Sequence, residues 1–129
     1  MKILIIDDNK DLLDMLKIAL EGEHDVFISN TGKNGINSLL ENEPDLIFLD
    51  IMMKGLNGID ILRLIRNDET TKATPLFIMS ALVDEKTIDK CKELNANGYL
   101  KKPFRIQMLK DIIAKFENSQ IDLSQYQIF

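Results

Sequence analysis

The amino-acid sequence predicts an α/β fold in which parallel strands form one sheet with helices on both of its faces. Short apolar runs alternate five times with segments whose apolar residues recur at helical spacing. The central apolar runs lack polar alternation, as expected for strands that are covered on both sides. Strict alternation of strand and helix favours parallel pairing through right-handed crossovers, which completes the prediction.

Capping and breaking residues set the order of the elements. Asn9 or Asp8 can cap the first helix, Gly22 ends it, Pro44 prevents the second helix from continuing, and Asn57 caps the third. The predicted strands cover residues 2–6, 25–29, 46–49, 76–79 and 98–101, and the predicted helices cover about residues 10–21, 32–41, a segment after Asn57, 84–94 and 106–117.

Apolar content predicts where each strand lies in the sheet. Strands one, three and four are the most apolar and should be central, whereas strands two and five are shorter and more polar and should form the edges. The order 2-1-3-4-5 meets both demands, and it is the doubly wound, flavodoxin-like (βα)5 order with a crevice between strands one and three. We expect one domain over residues 1–117, followed by a tail or the start of a linker over residues 118–129, with no output domain.

Composition narrows the possible functions. A chain of 129 residues is long enough for one packed domain, and its net charge of -5 argues against a surface that binds nucleic acid directly and fits protein partners. No apolar run approaches the roughly 18 residues of a membrane span, and no signal-peptide pattern precedes the first strand. Cys91 is the only cysteine, which excludes an internal disulfide and indicates a cytoplasmic location.

Polar residues stand at the carboxyl ends of the predicted strands, directly after their apolar residues. Because carboxyl ends of parallel strands meet at one edge of the sheet, these side chains should converge on the crevice. Side-chain alternation after strand five turns only one of its two lysines toward the crevice, and we expect it to be the second. The predicted site residues are Asp7, Asp8, Asp50, Ser80 and Lys102.

Three carboxylates in one pocket repel each other. At about 4 Å and an effective dielectric constant near 20, one such pair costs about 4 kcal/mol, which a single lysine does not offset for all three. The pocket should therefore hold a divalent cation, and oxygen ligands suit Mg²⁺, Ca²⁺ or Mn²⁺, of which Mg²⁺ is preferred. With a hydroxyl from Ser80 and an ammonium from Lys102, the site would accommodate a phosphoryl group.

These motifs, in this order and at this spacing, resemble the receiver domain of two-component response regulators, in particular the chemotaxis-type single-domain proteins. The resemblance covers about residues 1–117. It rests on Asp7-Asp8, on Asp50-Ile51-Met52-Met53 with Asn57-Gly58, on Ser80-Ala81, and on Lys102-Pro103-Phe104 preceded by Gly98-Tyr99.

The resemblance implies a phosphoacceptor and a metal site. Asp50 would accept a phosphoryl group from a phosphohistidine of a sensor histidine kinase or phosphotransfer protein. Asp8, Asp50 and the backbone carbonyl of Met52 would bind Mg²⁺ directly, and Asp7 would reach it mainly through water. The protein would then be a signalling phosphoprotein rather than an enzyme, with self-phosphotransfer and self-dephosphorylation as its only chemistry.

The resemblance also implies a switch. Ser80 would bind a phosphoryl oxygen and move on activation, Lys102 would pair with the phosphoryl group, and Tyr99 would turn inward. The changed surface of helix four, strand five and helix five would bind a downstream protein, with neither membrane nor nucleic acid as a direct partner. A cis peptide bond before Pro103 and a monomer or weak dimer complete this expectation.

Other functions are less compatible with the sequence. An aspartate-nucleophile phosphohydrolase of the haloacid-dehalogenase kind needs a second acid two residues after Asp50, where Met52 stands. A flavodoxin-like ligand-binding domain would not need both Asp50 and Lys102. Within the signalling hypothesis, a stand-alone effector, a phosphorelay carrier and a fragment of a larger regulator all remain open.

Several further positions carry expectations of their own. Lys54 replaces the proline that is usual in the family and should change the mobility of its loop, with phosphorylation retained. The apolar side chains of Met52 and Leu82 should flank the path of the attacking water and make self-dephosphorylation slow. We expect His24 at the surface and Cys91 in the core.

Overall fold

Strands and helices alternate along the whole part of the chain that is described. The structure is a computed structural model that describes residues 1–55, 57–81 and 84–118. Its elements are β1 (Lys2–Ile6), α1 (Lys10–Leu20), β2 (Asp25–Ser29), α2 (Gly32–Asn42), β3 (Leu46–Asp50), α3 (Gly58–Asn67), β4 (Leu76–Ser80), α4 (Glu85–Glu93), β5 (Gly98–Lys101) and α5 (Ile106–Glu117). Among the helices of these ranges, none has the length and apolar character needed to cross a bilayer.

The strands form one parallel sheet in the order β2-β1-β3-β4-β5, so the predicted fold class and strand order are confirmed. β3 and β4 are buried along their entire length, whereas the edge strands β2 and β5 each contain partly or fully exposed residues. Apolar content therefore predicted the position of each strand because only a central strand is covered on both faces.

Helices cover both faces of the sheet, and alternate strand residues divide the core into two parts. Ile3 and Ile5 of β1 pack with α1 and α5, and Leu4 and Ile6 pack on the opposite side with α2, α3 and α4. Cys91 of α4 is free and fully buried on that second side, as expected, and burial raises the pKa of its thiol to about 11.

Polar side chains begin most of the helices, and they decide where these helices start. Asn9, rather than Asp8, caps α1 and accepts a hydrogen bond from the backbone of Leu12 at 3.1 Å. Asn57 caps α3, as predicted. Asp84 caps α4, so this helix begins one residue later than the pattern of apolar residues suggested.

His24 lies in the interior, so the expectation of a surface position was wrong. Its side chain is only 5% exposed, and its two ring nitrogens each lie 4.0 Å from a carboxylate, one from Glu23 and the other from Glu117. Because Glu117 is the last residue of α5, a helix at the far end of the chain contributes to the surroundings of His24.

Gly58 allows α3 to begin directly against the end of β3. A Cβ atom at this position would lie 2.3 Å from the Cα of Ile51 and 2.6 Å from the carbonyl oxygen of Asp50. Both neighbours are backbone atoms, which do not move aside as the end of a side chain does. The loop that follows Asp50 therefore requires glycine here.

We expect Gly58→Ala to lower the free energy of unfolding by about 1–3 kcal/mol, the usual range for forced overpacking. Urea-induced unfolding measures this change. Gly22→Ala is the control, because no atom lies within 4 Å of the added methyl group; its effect should stay within about 1 kcal/mol. Equal stability of Gly58→Ala and the wild type would contradict the packing described for this loop.

Candidate functional site

Three carboxylates meet at the carboxyl edge of the sheet. Asp7 and Asp8 follow β1, and Asp50 ends the neighbouring strand β3. Each of the three offers a carboxylate oxygen, and these oxygens all lie within 4.8 Å of one another. Asp7 and Asp50 are buried, whereas Asp8 is exposed, so solvent reaches the cluster at Asp8.

Backbone hydrogen bonds orient the two buried carboxylates. The N–H of Asn9 donates to Asp7 at 2.9 Å, and the N–H of Met52 donates to Asp50 at 2.9 Å. Each bond uses one oxygen of its carboxylate and leaves the other, Oδ2, for a different partner. The turns that follow β1 and β3 thus hold both side chains in the crevice.

Lys102 links the two buried carboxylates. Its Nζ lies 2.5 Å from Oδ2 of Asp7 and 3.4 Å from Oδ2 of Asp50. The backbone N–H of Lys102 donates to the carbonyl of Ser80 at 2.9 Å, which attaches the residue to the end of β4. Lys101 is exposed, so of the two lysines it is the second that turns to the crevice. The peptide bond between Lys102 and Pro103 is cis, as predicted.

The charges of the cluster do not balance. Burial raises the pKa of Asp50, and the negative charge of Asp7 adds to this rise, while the Met52 N–H and Lys102 oppose it. Burial acts to lower the pKa of Lys102, but the hydrogen bond with Asp7 and the charge of Asp50 outweigh it and raise that pKa. One ammonium thus pairs with two of the three carboxylates, and the cluster keeps an excess of negative charge. The excess negative charge and the oxygen donors fit a divalent cation such as Mg²⁺.

Ser80 and Tyr99 lie together next to the carboxylates. Ser80 is fully buried at the end of β4, and Tyr99 lies on the adjacent strand β5. Burial raises the pKa of the Tyr99 hydroxyl, the nearby side chain of Ser80 opposes the rise, and smaller contributions come from charges that include Asp84 and Asp50. The hydroxyl of Tyr99 is buried, so this side chain points inward in the structure.

The loop after β3 holds the remaining predicted positions. The side chains of Met52 and Lys54 are exposed. The role of the Met52 carbonyl as a metal ligand stays a prediction, because the structure places only its N–H, on Asp50. Leu82, expected to flank the path of water, lies outside the described residues.

A groove beside Lys102 was not predicted from the sequence. It has a volume of about 400 Å³ and is lined by Leu12 and Met15 of α1 and by Pro103 and Phe104 after β5. The signal was present, because Leu12 and Met15 are apolar and lie outside the buried stripe of α1. The groove adds an apolar surface next to the acidic cluster.

Residues 3–114 match the family model of the response regulator receiver domain. The chain belongs to this family. Its receiver domain is 34% identical over 115 residues to the DNA-binding response regulator MtrA of Mycolicibacterium paratuberculosis and 41% identical over 111 residues to the response regulator ArlR of Staphylococcus saprophyticus. These matches cover 88% and 84% of the chain, and 48% of each relative, so the chain spans about half the length of the curated relatives it matches.

Solved receiver structures share the fold. A two-component response regulator from Clostridium difficile superimposes with a TM-score of 0.85 at 28% identity, over 92% of this chain and 97% of that one. The resemblance drawn from the aspartate, serine and lysine motifs is therefore confirmed at the level of the family, and the chain is a receiver domain of a two-component response regulator.

The raised pKa of Asp50 predicts how stability depends on pH in the absence of divalent cations. Because the folded state holds the proton of this carboxyl more tightly than the unfolded state does, the wild type loses stability as pH rises from about 4 through the raised pKa. In buffer with a chelator, Asp50→Asn should therefore be more stable than the wild type at neutral pH and lose this advantage as pH falls toward 4.

Thermal unfolding across this pH range measures the difference. Asp14→Asn, an exposed position on α1, is the control for the loss of one surface charge. A wild type that is as stable as Asp50→Asn at neutral pH, or more stable, would contradict the unfavourable charge assigned to Asp50.

Proposed function

We propose that this receiver domain is a cytoplasmic signalling switch that accepts a phosphoryl group on Asp50. The observation that carries the proposal is the position of Asp50, buried at the end of β3 and joined to Asp7 through one ammonium, that of Lys102. Such a carboxylate is oriented, poorly solvated and adjacent to a cation, which is what phosphoryl transfer requires of a site.

We propose that Mg²⁺ is bound directly by Asp8, Asp50 and the backbone carbonyl of Met52, with Asp7 contributing through water. The fit of the acidic cluster supports this, since its oxygens lie within 4.8 Å of one another and carry more negative charge than Lys102 offsets. When bound, the ion would neutralise the carboxylates and the negative charge of the incoming phosphoryl group.

In the proposed transfer, a carboxylate oxygen of Asp50 forms a bond to phosphorus as the bond from phosphorus to the donor imidazole nitrogen breaks. The imidazole leaves with the electron pair of that bond and is protonated. Lys102 already lies 3.4 Å from Oδ2 of Asp50 and would pair with the phosphoryl oxygens. Ser80, which is buried at the end of β4, would donate its hydroxyl to another of these oxygens.

The proposed output follows from the neighbours of Ser80. Tyr99 belongs to β5 and is sensitive to the charge of Asp84, the cap of α4. A change at Ser80 would therefore reach β5 and the beginning of α4, and we propose the surface of α4, β5 and α5 as the binding site of a downstream protein. A sensor histidine kinase or a phosphotransfer protein is the proposed donor.

The place of this domain in a longer pathway has three possible forms. We propose residues 1–117 as the receiver unit, with residues beyond 118 lying outside the part of the chain that the structure describes. MtrA is named as a DNA-binding regulator, and the receiver corresponds to about half of it. The domain could belong to a larger regulator, act as a stand-alone effector or carry a phosphoryl group in a phosphorelay. The partners that the phosphorylated domain binds distinguish these three functions.

Incubation with acetyl phosphate and Mg²⁺ tests the phosphoacceptor. We expect the intact mass to rise by one phosphoryl group, and we expect Asp50→Ala, or removal of Mg²⁺ with a chelator, to abolish the rise. Asp45→Ala is the control, since its carboxylate accepts the N–H of Lys2 at the amino edge of the sheet. A folded wild type that gains no phosphoryl group would overturn the proposal.

Slow loss of the phosphoryl group is the second expected property. The exposed, apolar side chain of Met52 cannot orient an attacking water, and Leu82 is proposed to act in the same way. We expect faster hydrolysis in Met52→Asn and Leu82→Glu than in the wild type, measured as loss of the phosphoryl mass with time. Met108→Asn is the control, because Met108 is also an exposed methionine but lies on α5. Unchanged rates in both test variants would refute this expectation.

A further inference from the structure

Arg66 occupies an unusual position at the end of the sheet opposite to the acidic cluster. It lies in the last turn of α3, and it is half-buried rather than fully exposed. Burial lowers the pKa of its guanidinium. A cation in such a place needs hydrogen-bond acceptors for its N–H groups, because partly desolvated charges are costly when they are left without partners.

The acceptors of Arg66 come from two separate loops. In the loop between α4 and β5, the carbonyl of Asn95 accepts from Nε at 3.2 Å and from Nη2 at 3.0 Å, and Oδ1 of Asn97 accepts from Nη2 at 3.3 Å. In the loop between α3 and β4, the carbonyl of Thr74 accepts from Nη1 at 2.7 Å, and that of Thr71 accepts at a longer 3.5 Å.

The hydrogen bonds made by Arg66 connect to the sheet through Asn97. Its Oδ1 also accepts the N–H of Leu76 at 2.9 Å, and its own N–H donates to the carbonyl of Leu76 at 2.8 Å. Leu76 is the first residue of β4, and Asn97 immediately precedes β5. Asn95, with a φ of 61°, makes the left-handed turn that ends α4. One guanidinium thus holds the end of α4 and the beginnings of β4 and β5.

Arg66 differs from an ordinary ion-paired arginine. Its five hydrogen bonds, among the residues that the structure describes, all go to neutral oxygens, four of them to backbone carbonyls. Neutral acceptors compensate the positive charge of Arg66 less than a carboxylate would. The hydrogen bonds that they accept, however, hold the backbone of both loops in place. The planar fork of arginine can reach both loops at once, whereas the single ammonium of lysine cannot.

The opposite end of α4 is connected differently. Its cap, Asp84, follows Ser80 by only four residues, and Ser80 ends β4 at the acidic cluster, where its carbonyl accepts the N–H of Lys102. The charge of Asp84 also contributes to the raised pKa of the Tyr99 hydroxyl on β5. One end of α4 is therefore coupled to the phosphorylation site, and the other is clamped to α3 and the sheet. We propose that Arg66 is a positioning residue that fixes the carboxyl end of α4, so that phosphorylation of Asp50 displaces α4 mainly at its amino end.

This inference rests on the proposed function, and hydrogen–deuterium exchange with and without acetyl phosphate and Mg²⁺ tests it. In the wild type, phosphorylation should change the exchange of amides early in α4, around residues 87–89, more than that of residues 94–97. In Arg66→Lys and Arg66→Met, the unphosphorylated loops should exchange about tenfold faster, because hydrogen bonds to charged groups typically contribute at least this factor. The change on phosphorylation should then spread to residues 94–97.

Two controls separate positioning from stability alone. Arg63→Lys alters an exposed arginine of the same helix whose partner is Asp60 at 3.4 Å, and it should leave the exchange pattern unchanged. Leu16→Ala removes a fully buried side chain from the core beneath α1. It should lower overall stability but keep the phosphorylation-dependent change at the amino end of α4. Phosphoryl gain on Asp50 should be retained in all four variants.

The outcomes distinguish the two proposals. A phosphorylated wild type whose exchange changes equally along α4 would overturn the role of Arg66 and leave the phosphoacceptor intact. The same conclusion follows if Arg66→Lys keeps the wild-type gradient, or if Leu16→Ala abolishes it as Arg66→Lys does. A wild type that gains no phosphoryl mass would overturn the proposed function itself, and the role of Arg66 with it.

Discussion

The ammonium of Lys102, shared between the carboxylates of Asp7 and Asp50, is the interaction on which the acidic site depends. Asp50 ends a strand that is otherwise entirely apolar, and its charge would be costly there without a partner. Lys102 offsets part of this cost and leaves excess negative charge. The excess makes the site suitable for a divalent cation and, once that charge is neutralised, for a phosphoryl group.

The two ends of the sheet hold their cations in opposite ways. At the carboxyl edge, Lys102 has charged partners, and solvent reaches the site at Asp8. A ligand that enters the site can therefore replace the present partners of Lys102. At the amino edge, Arg66 binds backbone carbonyls of two loops, and these acceptors are neutral and belong to the backbone itself. The first arrangement suits a site that must change with its ligand, and the second suits a fixed point against which a helix can move.

The fold could be predicted almost completely from the sequence, because its signals are local. Helical spacing, capping residues such as Asn57 and apolar strands such as β3 each act within a few residues. The limits of local reasoning appear at α4, where Asp84 serves as the cap rather than as the first helical residue. They appear more clearly at His24, which is buried and lies 4.0 Å from Glu117 at the end of α5.

The sequence by itself determined the strand order and therefore which side chains lie at the carboxyl edge of the sheet, since burial of apolar strands leaves few other arrangements. Only the tertiary structure decided how those side chains use their positions: that Lys102 bridges Asp7 and Asp50, that Tyr99 points inward to Ser80, and that Arg66 joins two loops. The physical reason is distance along the chain. Each of these contacts joins residues from different elements, and the packing of the complete sheet and its helices sets their geometry.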